Sequence, residues 1–148
     1  MHEYSEGIIF DSILNVIEYI EKNNLYKNLD IPFTFICRFT NDWEFEILFK
    51  LVWNLENVLL VVEECEIYVS PYSKSSSFLK LVRYGRHRKI SIIGIARRTS
   101  ELSLDLRSQG TRIISFKQTE SSDLSKMDLI NLKDLDKLPL HEFKEVIL

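Results

Sequence analysis

Apolar side chains recur along this chain at helical spacing and in short unbroken runs, and the two patterns alternate. Ile13, Leu14, Ile17 and Ile20 fall on one helical face behind Asp11 or Ser12, either of which can cap it, and the pattern fades near Asn23 and Asn24. Pro32 introduces the run from Phe33 to Phe39, which predicts a strand. Asn41 and Glu44 have capping-box spacing, with asparagine in place of the usual serine or threonine. Behind them Phe45, Leu48, Phe49 and Val52 keep helical spacing. The next run, Asn57 to Glu63, is the most distinctive of the chain. Val58 to Val62 is wholly apolar and reads as a strand buried on both faces of a parallel sheet.

The second half continues the alternation. A polar loop from Pro71 to Ser77 leads into a helix with Phe78, Leu81 and Val82 inward and Gly85 as its stop. Ile90 to Ile95 predicts another buried strand, Leu102 to Arg107 a short helix or turn, Arg112 to Phe116 a strand and Ser122 to Ile130 a helix. Residues 131–148 read as a C-terminal tail with one more short helix from Pro139. Four glycines and three prolines punctuate the chain sparsely, and no internal repeat or low-complexity segment appears. The order predicts an α/β fold for residues 1–148 as a single domain, a mainly parallel sheet of about four strands with helices on both faces.

Composition narrows the class only a little. A chain of 148 residues is long enough for a core of its own. Its net charge of −3 gives no global nucleic-acid footprint. Cys37 and Cys65 lie within or beside apolar runs, which points to reduced thiols and a cytoplasmic setting rather than a disulfide framework. No signal peptide is recognisable, and no apolar run approaches the roughly 20 residues that span a bilayer.

Glu63 and Glu64 end the strongest strand, at the edge where open α/β sheets bind ligands. Phosphate-handling enzymes place there one carboxylate that organises Mg²⁺ and one that orients water. Two acids ending a strand are also what a solvated turn looks like. From Lys80 to Arg98 there are seven lysines and arginines and no acid, a candidate phosphate-facing surface or simply a solvated helix end. Arg97 and Arg98 follow the strand Ile90–Ile95, which sets them at the same sheet edge as Glu63 if the strands are parallel; there Arg97 is free for phosphate or pairs with Glu63 or Glu64. His2, His87 and His141 lack metal-ligand spacing, neither cysteine sits in a C-x-x-C pattern, and no nucleophile elbow is present.

Taken in order, the strand ending in Glu63-Glu64, then Gly85-Arg86-His87, Ile90–Ile95 with Ala96-Arg97-Arg98-Thr99, Leu106 to Gln109, Ile113 to Phe116 and Asp123-Leu124 resemble the latter part of a family. That family is the additional-strand P-loop ATPases of the HerA/FtsK type, including phage assembly ATPases similar to the zonula occludens toxin family. The resemblance spans roughly Phe33 to Leu129. It implies that Glu63 occupies the Walker B position and touches Mg²⁺, that Glu64 polarises water, and that Arg86, Arg97 and Arg98 contact nucleotide or phosphate. Arg107 and Arg112 are then weaker candidates for an arginine that reaches a neighbouring subunit. Glutamate for aspartate at the first position is a departure, and Arg97 stands where relatives often carry a glutamine.

The largest departure is that no G-x-x-x-x-G-K-[ST] occurs: Gly7, Gly85, Gly94 and Gly110 are each isolated. Without it there is no backbone cradle and no lysine for the β- and γ-phosphates. In the family, that loop and its strand would lie upstream of Met1, and His2-Glu-Tyr4 resembles residues just after the family's second strand. The loop-bearing strand would lie between the equivalents of Ile90–Ile95 and Arg112–Phe116, so these two must either pair directly or leave a groove. The expectation is an incomplete ATPase core, cofactors ATP and Mg²⁺ bound weakly if at all by this chain alone, and partners drawn from a complementing ATPase segment, further copies of the chain or nucleic acid. A second reading is a non-catalytic α/β module that contacts nucleic acid or an acidic protein through Lys80–Arg98, where Tyr84 is the only aromatic. A third is a metal-dependent nuclease built on Glu63, Glu64 and Glu66, disfavoured because the acids share one segment.

Overall fold

The computed structural model describes residues 6–27, 32–70 and 75–148. The positions of His2 and of the expected loop up to residue 74 lie outside them. The chain divides into two compact units, Met1–Leu60 with Ser75–Ile93, and Val61–Lys74 with Gly94–Leu148.

In the first unit, β1 (Ile8–Phe10) pairs in parallel with β2 (Phe35–Cys37), Ile8 opposite Phe35 and Phe10 opposite Cys37. β1 was not anticipated: three apolar residues are too short a run to signal a strand. Between them α1 (Ile13–Lys22) is capped by Ser12, whose side chain accepts from the Leu14 N–H at 3.2 Å. Ile13, Val16 and Ile20 are fully buried. Leu14, expected inward, is exposed instead; at about 100° per residue it stands a quarter turn off the buried stripe. Phe10, Leu25 and Leu55 complete this core, and Phe35 meets the Phe10 ring edge-on at 5.2 Å.

Asn41 precedes α2 (Asp42–Leu55) but makes no side-chain cap bond. The capping-box pair is used differently. Glu44 is buried, and its carboxylate accepts from the Ile13 N–H and from the Asn41 amide, both at 3.1 Å. The Ile13 N–H is the main reason that carboxyl lies below its ordinary range. α3 (Ser76–Tyr84) packs on α2 through the fully buried Phe49 and Phe78, ring centroids 4.8 Å apart. Ser75 caps α3 by accepting from the Phe78 N–H. Glu46 of α2 accepts from the Ser75 and Ser76 hydroxyls and the Ser77 N–H, so a carboxylate fills the anion-seeking end of this helix.

β3 (Leu59–Val62) and β4 (Ser91–Gly94) form a second pair. The Val58 carbonyl accepts from Ser91 and the Val62 carbonyl from Ile95, each at 2.9 Å, so the strands run the same way. The expectation of burial on both faces is corrected. Leu60 and Val62 are buried, but Leu59 and Val61 are 61% and 46% exposed, and Ile93 and Ile95 are exposed likewise.

In the second unit, α4 (Leu104–Gln109) and α5 (Ser121–Asp128) flank β5 (Arg112–Phe116) in sequence. β5 pairs antiparallel with β6 (Phe143–Ile147), Phe116 opposite Phe143. The tail expected to hold a helix from Pro139 is therefore a strand after a 3₁₀ turn at Leu135–Lys137; its aromatic and β-branched residues suit a pleated surface. Ile113 and Val146 face inward onto Met127, Leu132, Leu135 and Leu138. In place of one four-stranded sheet, the described strands form three two-stranded ladders, β1–β2, β3–β4 and β5–β6. Direct pairing of β4 with β5 is not among them.

Candidate functional site

β3 delivers its carboxyl end into a tight turn. Glu63 and Glu64 follow the buried Val62, both exposed, and Glu64 adopts the left-handed conformation at φ 48°. That conformation is uncommon for a residue with a side chain. The reversal starts a 3₁₀ turn, Cys65–Ile67, which carries Cys65 and Glu66 inward while the two preceding carboxylates stay at the surface.

The end of β4 is tied to the same turn, because the Cys65 N–H donates to the Ile95 carbonyl at 3.0 Å. Arg97 follows two residues later. Its backbone N–H donates to Glu66 Oε1 at 3.4 Å, and its Nε lies 3.5 Å from that oxygen and 3.7 Å from Glu64 Oε1. The Arg97 side chain is 72% exposed and that of Glu66 only 6%. A buried carboxylate is thus covered by a cation in water, and its second oxygen, Oε2, is buried without a hydrogen-bond partner. Burial, and then the Glu66 charge, push the Cys65 thiol up to about 12, which keeps it protonated and unreactive at neutral pH.

Arg98 goes elsewhere. Its Nε lies 3.3 Å from Asp123 Oδ2 and its Nη2 donates to the Ser122 hydroxyl at 3.4 Å. Asp123 is fully buried and also accepts from the Ser100 N–H at 2.7 Å. Burial pushes its carboxyl up, but the bonds from Ser100 and Arg98 together outweigh this and hold it below the usual carboxylate range. Arg112 pairs with Glu145 across the β5–β6 ladder at 2.5 Å. Arg107 lies on α4 with its Nε buried and unpartnered, and Arg86 is exposed in the 3₁₀ turn Gly85–Arg88 of the first unit. Glu64 and Arg97 are therefore brought together, while Arg86, Arg98, Arg107 and Arg112 are not shown joining them. Sequence reasoning missed Glu66 as the anchor of Arg97 and Asp123 as the anchor of Arg98. Both roles follow from contacts between distant segments that no local pattern encodes.

Among the described residues no group of three or more His, Cys, Asp or Glu converges to hold a metal. Mg²⁺ needs no such cage: it keeps several waters and takes one or two carboxylates together with substrate phosphates. An exposed Glu63 at a strand end fits that mode. No helix among the described residues is long and apolar enough to cross a membrane.

No protein-family profile matches the chain, and no curated protein matches it. Solved structures do. The genome packaging NTPase B204 from Sulfolobus turreted icosahedral virus 2, in complex with AMPPCP, matches over 98% of this chain and 72% of its own at 17% identity and a TM-score of 0.75. The fold is similar to that of this packaging NTPase. The same NTPase in complex with ATP-gammaS matches 82% of this chain and 65% of its own, at 17% identity and a TM-score of 0.69. B204, the DNA-packaging ATPase from Sulfolobus Turreted Icosahedral Virus, matches 95% of this chain and 90% of its own, at 14% identity and a TM-score of 0.66. In the ATP-gammaS complex the chain spans 65% of its neighbour's length. The resemblance to a HerA/FtsK-type P-loop ATPase read from the sequence agrees with this fold.

Proposed function

We propose that this chain is the Walker B-containing portion of a P-loop ATPase related to DNA-packaging and phage assembly motors, and that it does not hydrolyse ATP by itself. The observation that carries this reading is the position of Glu63 and Glu64, which end β3 beside a parallel β4 in a fold shared with a packaging NTPase. In this role Glu63 would hold Mg²⁺ and Glu64 would orient the attacking water. The metal, when bound with nucleotide, supplies charge neutralisation at the phosphates. Arg97, held by Glu64 and Glu66, would have to leave them to reach a phosphate. Arg86 and Arg107 remain the candidates for contact with phosphate or a neighbouring subunit, ahead of Arg98 and Arg112, whose guanidinium groups already meet Asp123 and Glu145.

The absent phosphate loop must come from another segment, in the same polypeptide or a partner. The exposed apolar positions of β3 and β4, Leu59, Val61, Ile93 and Ile95, support the need for such a cover. The test is Mg²⁺-dependent ATP turnover by the chain joined to a loop-bearing segment. Glu64→Gln is expected to lower turnover by about 10²- to 10⁴-fold while ATP binding persists. Unchanged turnover would remove Glu64 from the mechanism.

A further inference from the structure

Past β4 the chain leaves the sheet. The Ile95 N–H still donates to the Val62 carbonyl of β3, and the Ile95 carbonyl accepts from the Cys65 N–H. Of residues 96–101 only Thr99 is buried, so apolar packing does little to set their path. Two buried acids bracket this stretch instead. On one side Glu66 accepts from the Arg97 N–H at 3.4 Å. On the other Asp123, fully buried in the first turn of α5, accepts from the Ser100 N–H at 2.7 Å and lies 3.3 Å from Arg98 Nε. α5 holds the same stretch twice more. Ser122 Oγ accepts from Arg98 Nη2 at 3.4 Å, and Lys126 Nζ donates to the Ser100 carbonyl at 2.8 Å.

Asp123 is thus a buried acid that the proposed chemistry does not use. A carboxylate withdrawn from water is costly unless its oxygens are bonded, and here the donors come from the residues next to Arg97. Asparagine cannot take over both bonds, because its amide keeps one accepting oxygen and adds an NH₂ where a donor already points. We propose that Asp123 is a positioning residue for Arg97. From α5 it pins residues 98–100, so the Arg97 backbone stays at the end of β4 beside Glu64. The exposed side chain of Arg97 can then exchange Glu64 and Glu66 for another anion without the backbone moving. The purpose of this arrangement rests on the ATPase reading; its geometry does not.

The test is amide hydrogen exchange on the 148-residue chain, read residue by residue by NMR. In Asp123→Asn the Ser100 amide loses its acceptor directly, whereas the Arg97 amide bonds Glu66 and carries the question. Both are expected to exchange about tenfold faster, while amides of the β5–β6 ladder keep their rates. Lys126→Met keeps the buried acid and removes only the bond to the Ser100 carbonyl. It should move both amides the same way by a smaller factor, and it decides the matter where Asp123→Asn does not fold. An unchanged Arg97 amide beside a faster Ser100, or equal acceleration throughout the β5–β6 ladder, overturns the proposal. In the chain joined to a loop-bearing segment, Asp123→Asn and Arg97→Ala should change the same constant, kcat or KM. The double variant should be no worse than Arg97→Ala alone, and additive losses overturn the assignment. Turnover indifferent to Glu64→Gln would sink the ATPase reading and leave the exchange result standing.

Discussion

Arg97 and Glu66 share one contact on unequal terms, because the acid is buried and the base is in water. Removing the cation leaves a carboxylate that burial disfavours, with one oxygen already unpartnered. Arg97→Ala should therefore cost about 1–3 kcal/mol in urea unfolding, and Glu66→Gln clearly less. Equal losses would mean that the pair is not arranged as described. Asp123 contributes to the pH dependence, as do Glu44 and Glu46. The folded Asp123 carboxyl lies below the ordinary range, so its contribution is present above the unfolded pKa of about 3.9 and is lost as pH falls through the folded value. Asp123→Asn should flatten the loss of stability below about pH 4, measured as unfolding midpoints against pH; an unchanged acid limb would contradict it.

The elements differ in what holds them. α2 and α3 meet through Phe49 and Phe78, both fully buried. Phe49→Ala should cost about 3–5 kcal/mol, read from chemical denaturation. β6 covers one edge of β5, while its outer face leaves Phe143 and Ile147 exposed next to Ile114 and Phe116. Truncation after Leu138 should therefore raise light scattering on warming, since it uncovers the β5 edge. Much of this was legible from spacing: α1, α2, β2, β3, β4 and β5 lie within the expected runs, while α3 starts at Ser76, inside the stretch expected as a loop. The miss at β6 has a physical cause. Pro139 signalled a helix start, whereas the strand was selected by its partner β5, a long-range choice that local propensity does not decide.

Across the whole chain, the sequence carried the position of the acids better than their neighbours. Glu63 and Glu64 end β3 as the apolar run required, but the alternation of buried and exposed residues along β3 did not follow from an unbroken apolar run. Leu59 and Val61 look as buried as Leu60 and Val62 in sequence, yet no layer among the described residues covers them. On the proposed ATPase reading, carboxylates at a strand end without a phosphate loop repel polyphosphate. Calorimetry with ATP and Mg²⁺ is the most direct measurement, made on the 148-residue chain and on a form extended upstream with a loop-bearing segment. The account predicts no measurable heat of binding for the chain alone and saturable binding for the extended form. Tight, saturable ATP binding by the 148-residue chain would contradict it.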